Sequence, residues 1–149
     1  MRRLLSLVFL TCLLAGLLSA CGGGTAPTAA ASQAPTVPPV PTVSPAVKAV
    51  TDYLQALVAK DVNKVSTLTC KDWEQAAIQE VDSLQAVTAI LSSDLACSQS
   101  GTDAGNALVK CQGKIITTYN TENQELDLSV RTYKVTQSGG DWLVCGYQQ

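Results

Sequence analysis

The chain has 149 residues, ten basic against twelve acidic side chains, and no histidine. A net charge of −2 without a basic run argues against a nucleic-acid partner. The lack of histidine excludes every catalytic scheme built on an imidazole. The six cysteines and six prolines are unevenly spread, and their places divide the chain.

Met1-Arg2-Arg3 leads into an apolar run over residues 4–18 and then into Leu18-Ser19-Ala20-Cys21. A basic start, an apolar middle and small residues before a cleavage point form an export signal, here residues 1–20. The run is about 15 residues, shorter than the roughly 20 of a membrane span, and Ser6, Thr11 and Gly16 interrupt it. The order aliphatic, small, small, cysteine resembles the bacterial lipoprotein signal at every place. That resemblance implies diacylglyceryl transfer to the Cys21 thiol, cleavage before it, and acylation of the new amine. Each buried methylene contributes about 0.8 kcal/mol, so two or three acyl chains anchor far better than one. The expected address is the cell envelope, on the extracytoplasmic side of a membrane. Gly22 stands where many Gram-negative lipoproteins carry an aspartate for inner-membrane retention. Cys12 leaves with the signal.

Residues 21–45 form the next unit, a tether behind the lipidated cysteine. Residues 22–44 carry no charge, and all six prolines fall between Pro27 and Pro45. Such a stretch buries too little apolar surface to offset its ordering entropy. Extended at about 3.1 Å per residue, it spans up to roughly 70 Å. It reads as a stalk that lifts a domain off the bilayer.

The domain occupies residues 46–149. Without Arg2 and Arg3 its balance is eight basic against twelve acidic residues, a net charge of −4. Ser44 and Pro45 suit the cap and first turn of a helix. Val47, Val50, Leu54, Leu57 and Val58 recur at helical spacing to about residue 59. Lys60-Asp61 breaks that helix, and Asp61 suits the cap of a short second one with Val62, Val65 and Leu68. Asp72 suits the cap of a third, with Trp73, Ala77, Val81 and Leu84 on its stripe; the pattern extends to Val87 and Leu91, so its end is open. After Ser93 the period becomes two. Strands are expected through Leu95, Cys97 and Gln99; through Val109, Cys111, Gly113, Ile115 and Thr117; through Leu126, Leu128 and Val130; and over residues 142–147. Turn-rich runs at residues 100–106, 120–123 and 138–141 join them as hairpins. The fold class is therefore α+β, with three N-terminal helices packed on a curved four-stranded antiparallel sheet.

The run 46–57 with Lys60-Asp61, then Trp73, then hairpins ending Gly140-Asp141-Trp142-Leu143-Val144, resembles small lipoprotein-type members of the nuclear transport factor 2-like superfamily. The resemblance implies a cone-shaped α+β fold, often with a pocket at its open end. That superfamily hosts isomerases, dehydratases and cyclases, and also non-catalytic binding and dimerisation modules, so fold does not supply function. The enzymes' histidine–aspartate pair has no histidine here. An isomerase-like scheme needs a buried carboxylate and an acidic donor. Asp52 and Asp127 supply carboxylates, and Tyr53, Tyr119 and Tyr133 supply hydroxyls, but no spacing singles out a pair. Asp127 shares a strand face with Glu125, Ser129 and Arg131, which reads as a solvated sheet face. Trp73 and Trp142 read as core or pocket wall. No catalytic, cofactor-binding or metal residue is assigned.

Four cysteines remain in the domain: Cys70, Cys97, Cys111 and Cys145. An even count in an exported domain favours disulfides, and neither paired Cys-x-x-Cys spacing nor histidine supports zinc. A first hairpin centred on Ala104 puts Cys97 opposite Cys111, Gln99 opposite Val109 and Leu95 opposite Gly113. A second, centred between Thr121 and Glu122, puts Ile115 opposite Leu128 and Gly113 opposite Val130. Cys70 then pairs with Cys145 by elimination, although a one-residue bulge in the last hairpin would turn Cys145 to the other face. The functional expectation is a lipid-anchored, non-catalytic domain. It would bind a small apolar ligand or a protein partner, or pair with itself through the sheet face. The alternative is a small pocket enzyme of isomerase, dehydratase or cyclase type using Asp and Tyr groups.

Overall fold

The computed structural model describes residues 43–149. The export signal, Cys21 and most of the tether lie outside the described residues. Three helices come first: α1 (Pro45–Val58), α2 (Val62–Thr67) and α3 (Lys71–Ser83). Pro45 occupies the first turn of α1, where a missing N–H leaves nothing unpaired. Ser44 precedes it without capping it; its Oγ donates to Gln99 Oε1 at 2.9 Å instead. Val47, Val50, Leu54 and Leu57 bury one face of α1, as their spacing demands. Asp61 caps α2 by accepting from the Lys64 N–H at 3.0 Å. Cys70, not Asp72, holds the N-cap position of the third helix, and no side chain there caps it. Asp72 and Glu74 sit inside its first turn, where carboxylates favour the positive end of the helix dipole.

The third helix stops at Ser83 and does not run on through Val87 and Leu91. The N–H groups of Leu84, Gln85 and Val87 turn back to the carbonyls of Val81, Asp82 and Leu84. The Lys60 ammonium fixes the turn by donating to the Val87 carbonyl at 2.6 Å. Beyond it Thr88 and Ile90 are β-branched and favour extended backbone, so these residues form a strand.

Seven strands follow among the described residues, not four. They are β1 (Thr88–Leu91), β2 (Ala96–Asp103), β3 (Asn106–Gln112), β4 (Lys114–Tyr119), β5 (Glu122–Asp127), β6 (Thr132–Ser138) and β7 (Asp141–Gln148). They make two antiparallel sheets, ordered β1-β4-β5 and β2-β3-β6-β7. The expected long strand is cut at Gly113, whose φ of 99° bends the chain out of one sheet and into the other. Ser92 seals the bend: its Oγ accepts from the Lys114 N–H at 2.8 Å, and its own N–H donates to the Lys114 carbonyl at 2.9 Å. The strand expected to reach Val130 stops at Asp127. Leu128 folds inward, donating to the Gly113 carbonyl at 3.0 Å and burying its side chain completely.

Cys97 faces Cys111 and Gln99 faces Val109. The turn between them is Ala104-Gly105, however, and an extra residue at Ser100 brings the pairs back into step. In the second hairpin Ile115 faces Leu126, two residues away from the expected Leu128. The reason is a two-residue turn at Asn120-Thr121, with Asn120 at φ 56°. A shift of two keeps every side chain on its face, so the apolar side survives the error. The third hairpin turns at Gly139-Gly140 and carries one extra residue in β7, at Cys145-Gly146.

Cys97 and Cys111 are bonded, with Cα atoms 4.0 Å apart, and so are Cys70 and Cys145, 4.9 Å apart. The second bond fastens the start of α3 to the edge of β7. Backbone bonds accompany it, from the Cys70 N–H to the Val144 carbonyl at 2.9 Å and from the Val144 N–H to the Leu68 carbonyl at 2.8 Å. A closed loop of 75 residues is worth about 4.5 kcal/mol in the chain-entropy model. The core lies between α1 and the sheets, where Val50, Leu54 and Leu57 meet Val109, Val135 and Val144.

Candidate functional site

The densest polar group among the described residues is centred on Glu80, in the third turn of α3. Glu80 lies beside the apolar stripe of Ala77, Val81 and Leu84, so its carboxylate is part-buried at the margin of the core. Tyr53 of α1 donates to Glu80 Oε2 at 2.6 Å, and Tyr147 of β7 donates to Oε1 at 2.5 Å. Arg131, just before β6, places Nη1 3.5 Å from Oε1. Its guanidinium also lies 4.2 Å from the centre of the Tyr147 ring, a cation–π contact. One carboxylate thus ties together α1, α3, β7 and the turn that leads into β6.

Aromatic rings fill the space around it. Tyr133 meets Tyr53 edge to face at 6.4 Å and Tyr147 at 5.6 Å; Trp73 meets Tyr147 at 5.6 Å. Trp73 also packs on the bulge of β7. A Cβ at Gly146, where φ is 112°, would come within 3.1 Å of its ring. Two buried polar atoms have no hydrogen-bond partner among the described residues: Trp73 Nε1 and Tyr133 Oη.

Burial, and after it the hydrogen bond to Glu80, pushes the Tyr147 hydroxyl up to about 12. Burial, and after it the Glu80 charge, also raises Tyr53, and burial raises Tyr133. These hydroxyls remain protonated donors at neutral pH. Beside the cluster lies a cavity of about 60 Å³ between Leu57, Ser83, Leu84, Ile115, Leu126 and the Glu80–Arg131 pair. That is room for about two water molecules.

The residues singled out from the sequence are scattered by the fold. Tyr53 and Tyr133 come together, but Tyr119 sits at the exposed end of β4, 59% accessible. Asp52 is on the outer side of α1, paired with Lys48 at 2.5 Å, in an open cleft of about 410 Å³ near Trp142. Asp127 is exposed at the end of β5. The Ser129 hydroxyl and N–H, the latter at 2.8 Å, hold its carboxyl below the usual range. Neither carboxylate approaches a tyrosine cluster. The sequence reading missed Glu80, Tyr147 and the inward turn of Arg131. Glu80 had one signal, its place at the margin of the α3 stripe. Arg131 had none, because the strand it was assigned to ends four residues earlier.

Among the described residues no cluster of three or more His, Cys, Asp or Glu is placed to hold a metal ion. No described helix is long and apolar enough to cross a membrane. No family model matches the chain, and no curated protein matches it. Among solved structures it is similar to a SEC-C motif-containing protein from Rhodopseudomonas palustris. That match has a TM-score of 0.47 and 10% identity, covering 70% of this chain and 80% of that one. It is also similar to a substituted form of a chain named Rd1NTF2_05, with a TM-score of 0.41 and 13% identity, covering 68% and 92% respectively. At these scores neither likeness decides the fold family.

Proposed function

We propose that the chain is an extracytoplasmic lipoprotein carrying a non-catalytic binding domain with a nuclear transport factor 2-like cone. Residues 1–20 direct export, Cys21 carries the lipid, and the proline-rich tether lifts the domain from the membrane. The filled interior carries the non-catalytic part of this reading. Both oxygens of the part-buried Glu80 carboxylate are taken by tyrosines, an arginine flanks it, and the cavity beside it is about 60 Å³. A pocket enzyme needs several hundred Å³ to surround even a small organic substrate. Asp52 and Asp127, the carboxylates singled out from the sequence, are held by Lys48 and Ser129 and not by a buried donor. The domain's business therefore lies on its outer surfaces, towards a partner or a second copy, and its staples suit it to an exposed, oxidising compartment.

The anchor is tested by fatty-acid labelling in cells. Cys21→Ser is expected to abolish the label and move the protein from the membrane fraction to the soluble one. Label retained in the Cys21→Ser protein would remove the basis for the lipoprotein reading.

A further inference from the structure

The two sheets present four edges, and three of them are protected. β1 is only four residues long. β5 carries Glu122, Glu125 and Asp127 within six residues. β7 is covered by Thr69 and Cys70, which bridge to Val144 and are fastened there by the Cys70–Cys145 bond. Short edges, charged edges and covered edges are the usual defences against strand addition. β2 has none of these in full: it is eight residues long, with Asp103 as its single charge. Its only defence is the extra residue at Ser100. Among the described residues, no backbone hydrogen bond joins its outer edge to another segment.

The tether begins beside this edge, through the Ser44–Gln99 bond. It is a poor occupant, because Pro38, Pro39 and Pro41 have no N–H to give to a ladder. We infer that the β2 edge is an interaction surface for a second copy of this chain, paired antiparallel about a two-fold axis. Charge and register select this occupant. Ser98 and Lys110 share the outer face of the sheet, and so does Asp103 on the far side of the Ser100 bulge. The bulge matters here: it lets Ser98 of one copy face Asp103 of the other with both side chains on the same face. Gln99 then faces Thr102 of the second copy on the inner face. Two strand spacings, about 10 Å, separate Lys110 from the incoming Asp103, within reach of a lysine and an aspartate together. The two-fold axis makes that ion pair twice.

Both groups are available. Lys110 is exposed and makes no ion pair among the described residues. Asp103 is 61% accessible and meets its own Lys134 only at 3.6 Å. β5 carries three carboxylates and no basic residue, so pairing two copies there gathers like charges along the seam, which disfavours that edge. The inference does not depend on lipidation of Cys21.

Sedimentation equilibrium of the chain carrying Cys21→Ser tests it, with thermal melts to show that each variant is folded. A concentration-dependent dimer is expected. Lys110→Glu should weaken it about tenfold or more, and adding Asp103→Lys to that variant should restore it to within about threefold. Glu122→Lys should leave it unchanged. A monomer at every concentration up to about 1 mM overturns the proposal. So does a dimer that the folded charge-swap variant fails to restore, or one that Glu122→Lys abolishes.

Discussion

Glu80→Ala is expected to cost the domain about 3–5 kcal/mol, the largest single effect of any polar substitution in it. The change leaves a guanidinium that is only 12% accessible without its carboxylate. It also leaves the Tyr53 and Tyr147 hydroxyls without acceptors. Unpaired buried donors lose their water and gain nothing in return. At about 4–8 °C per kcal/mol for a domain of this size, the midpoint of thermal unfolding should fall by at least roughly 12 °C. Glu80→Gln keeps one acceptor oxygen and should fall by less. A loss under about 1 kcal/mol for Glu80→Ala would mean that the cluster is not closed as described.

Gly113→Ala is expected to cost roughly 3 kcal/mol, although it adds one methyl group. Two separate penalties combine. The φ of 99° is a backbone conformation that residues with a Cβ rarely adopt, worth about 1–3 kcal/mol. The added carbon would also lie 2.9 Å from the Leu95 Cα, a backbone atom with little freedom to move. Because Gly113 is where the chain passes from one sheet to the other, the loss should appear as global unfolding at lower urea concentration with an unchanged slope. A midpoint within error of the parent would contradict the bend.

The helices were legible because their signals are local. The spacing of Val47, Val50, Leu54 and Leu57, the Lys60-Asp61 break and the Asp61 cap each depend on neighbours within one or two turns. The strand count was not legible, because what cuts the strands acts over distance. Gly113 reads as an ordinary strand position until Ser92 and Leu95 are brought beside it. Leu128 alternates correctly with Leu126, yet one is buried in the core and the other lies on β5. The first cysteine pair could be placed from its register only because the bulge at Ser100 cancels the error in the turn. The candidate site was the least legible part. Its four elements are separated by up to 94 residues, from Tyr53 to Tyr147, and a carboxylate at the margin of a helix stripe ordinarily faces water.

The filled interior is the centre of this account, and an alkaline titration of the tyrosines tests it most directly. In the unfolded chain tyrosine ionises near pH 10. Burial and Glu80 keep the Tyr147 hydroxyl protonated to about 12, and Tyr53 and Tyr133 are raised as well. Above pH 10 the unfolded chain therefore binds fewer protons than the folded one. The stability these hydroxyls supply is complete below that pH and is lost as the pH rises further. Ultraviolet difference spectra with parallel circular dichroism should show Tyr147 ionising near 12, as the fold gives way. A Tyr147 hydroxyl that ionises near 10 in an intact fold would contradict the account and leave Glu80 open to bind or react.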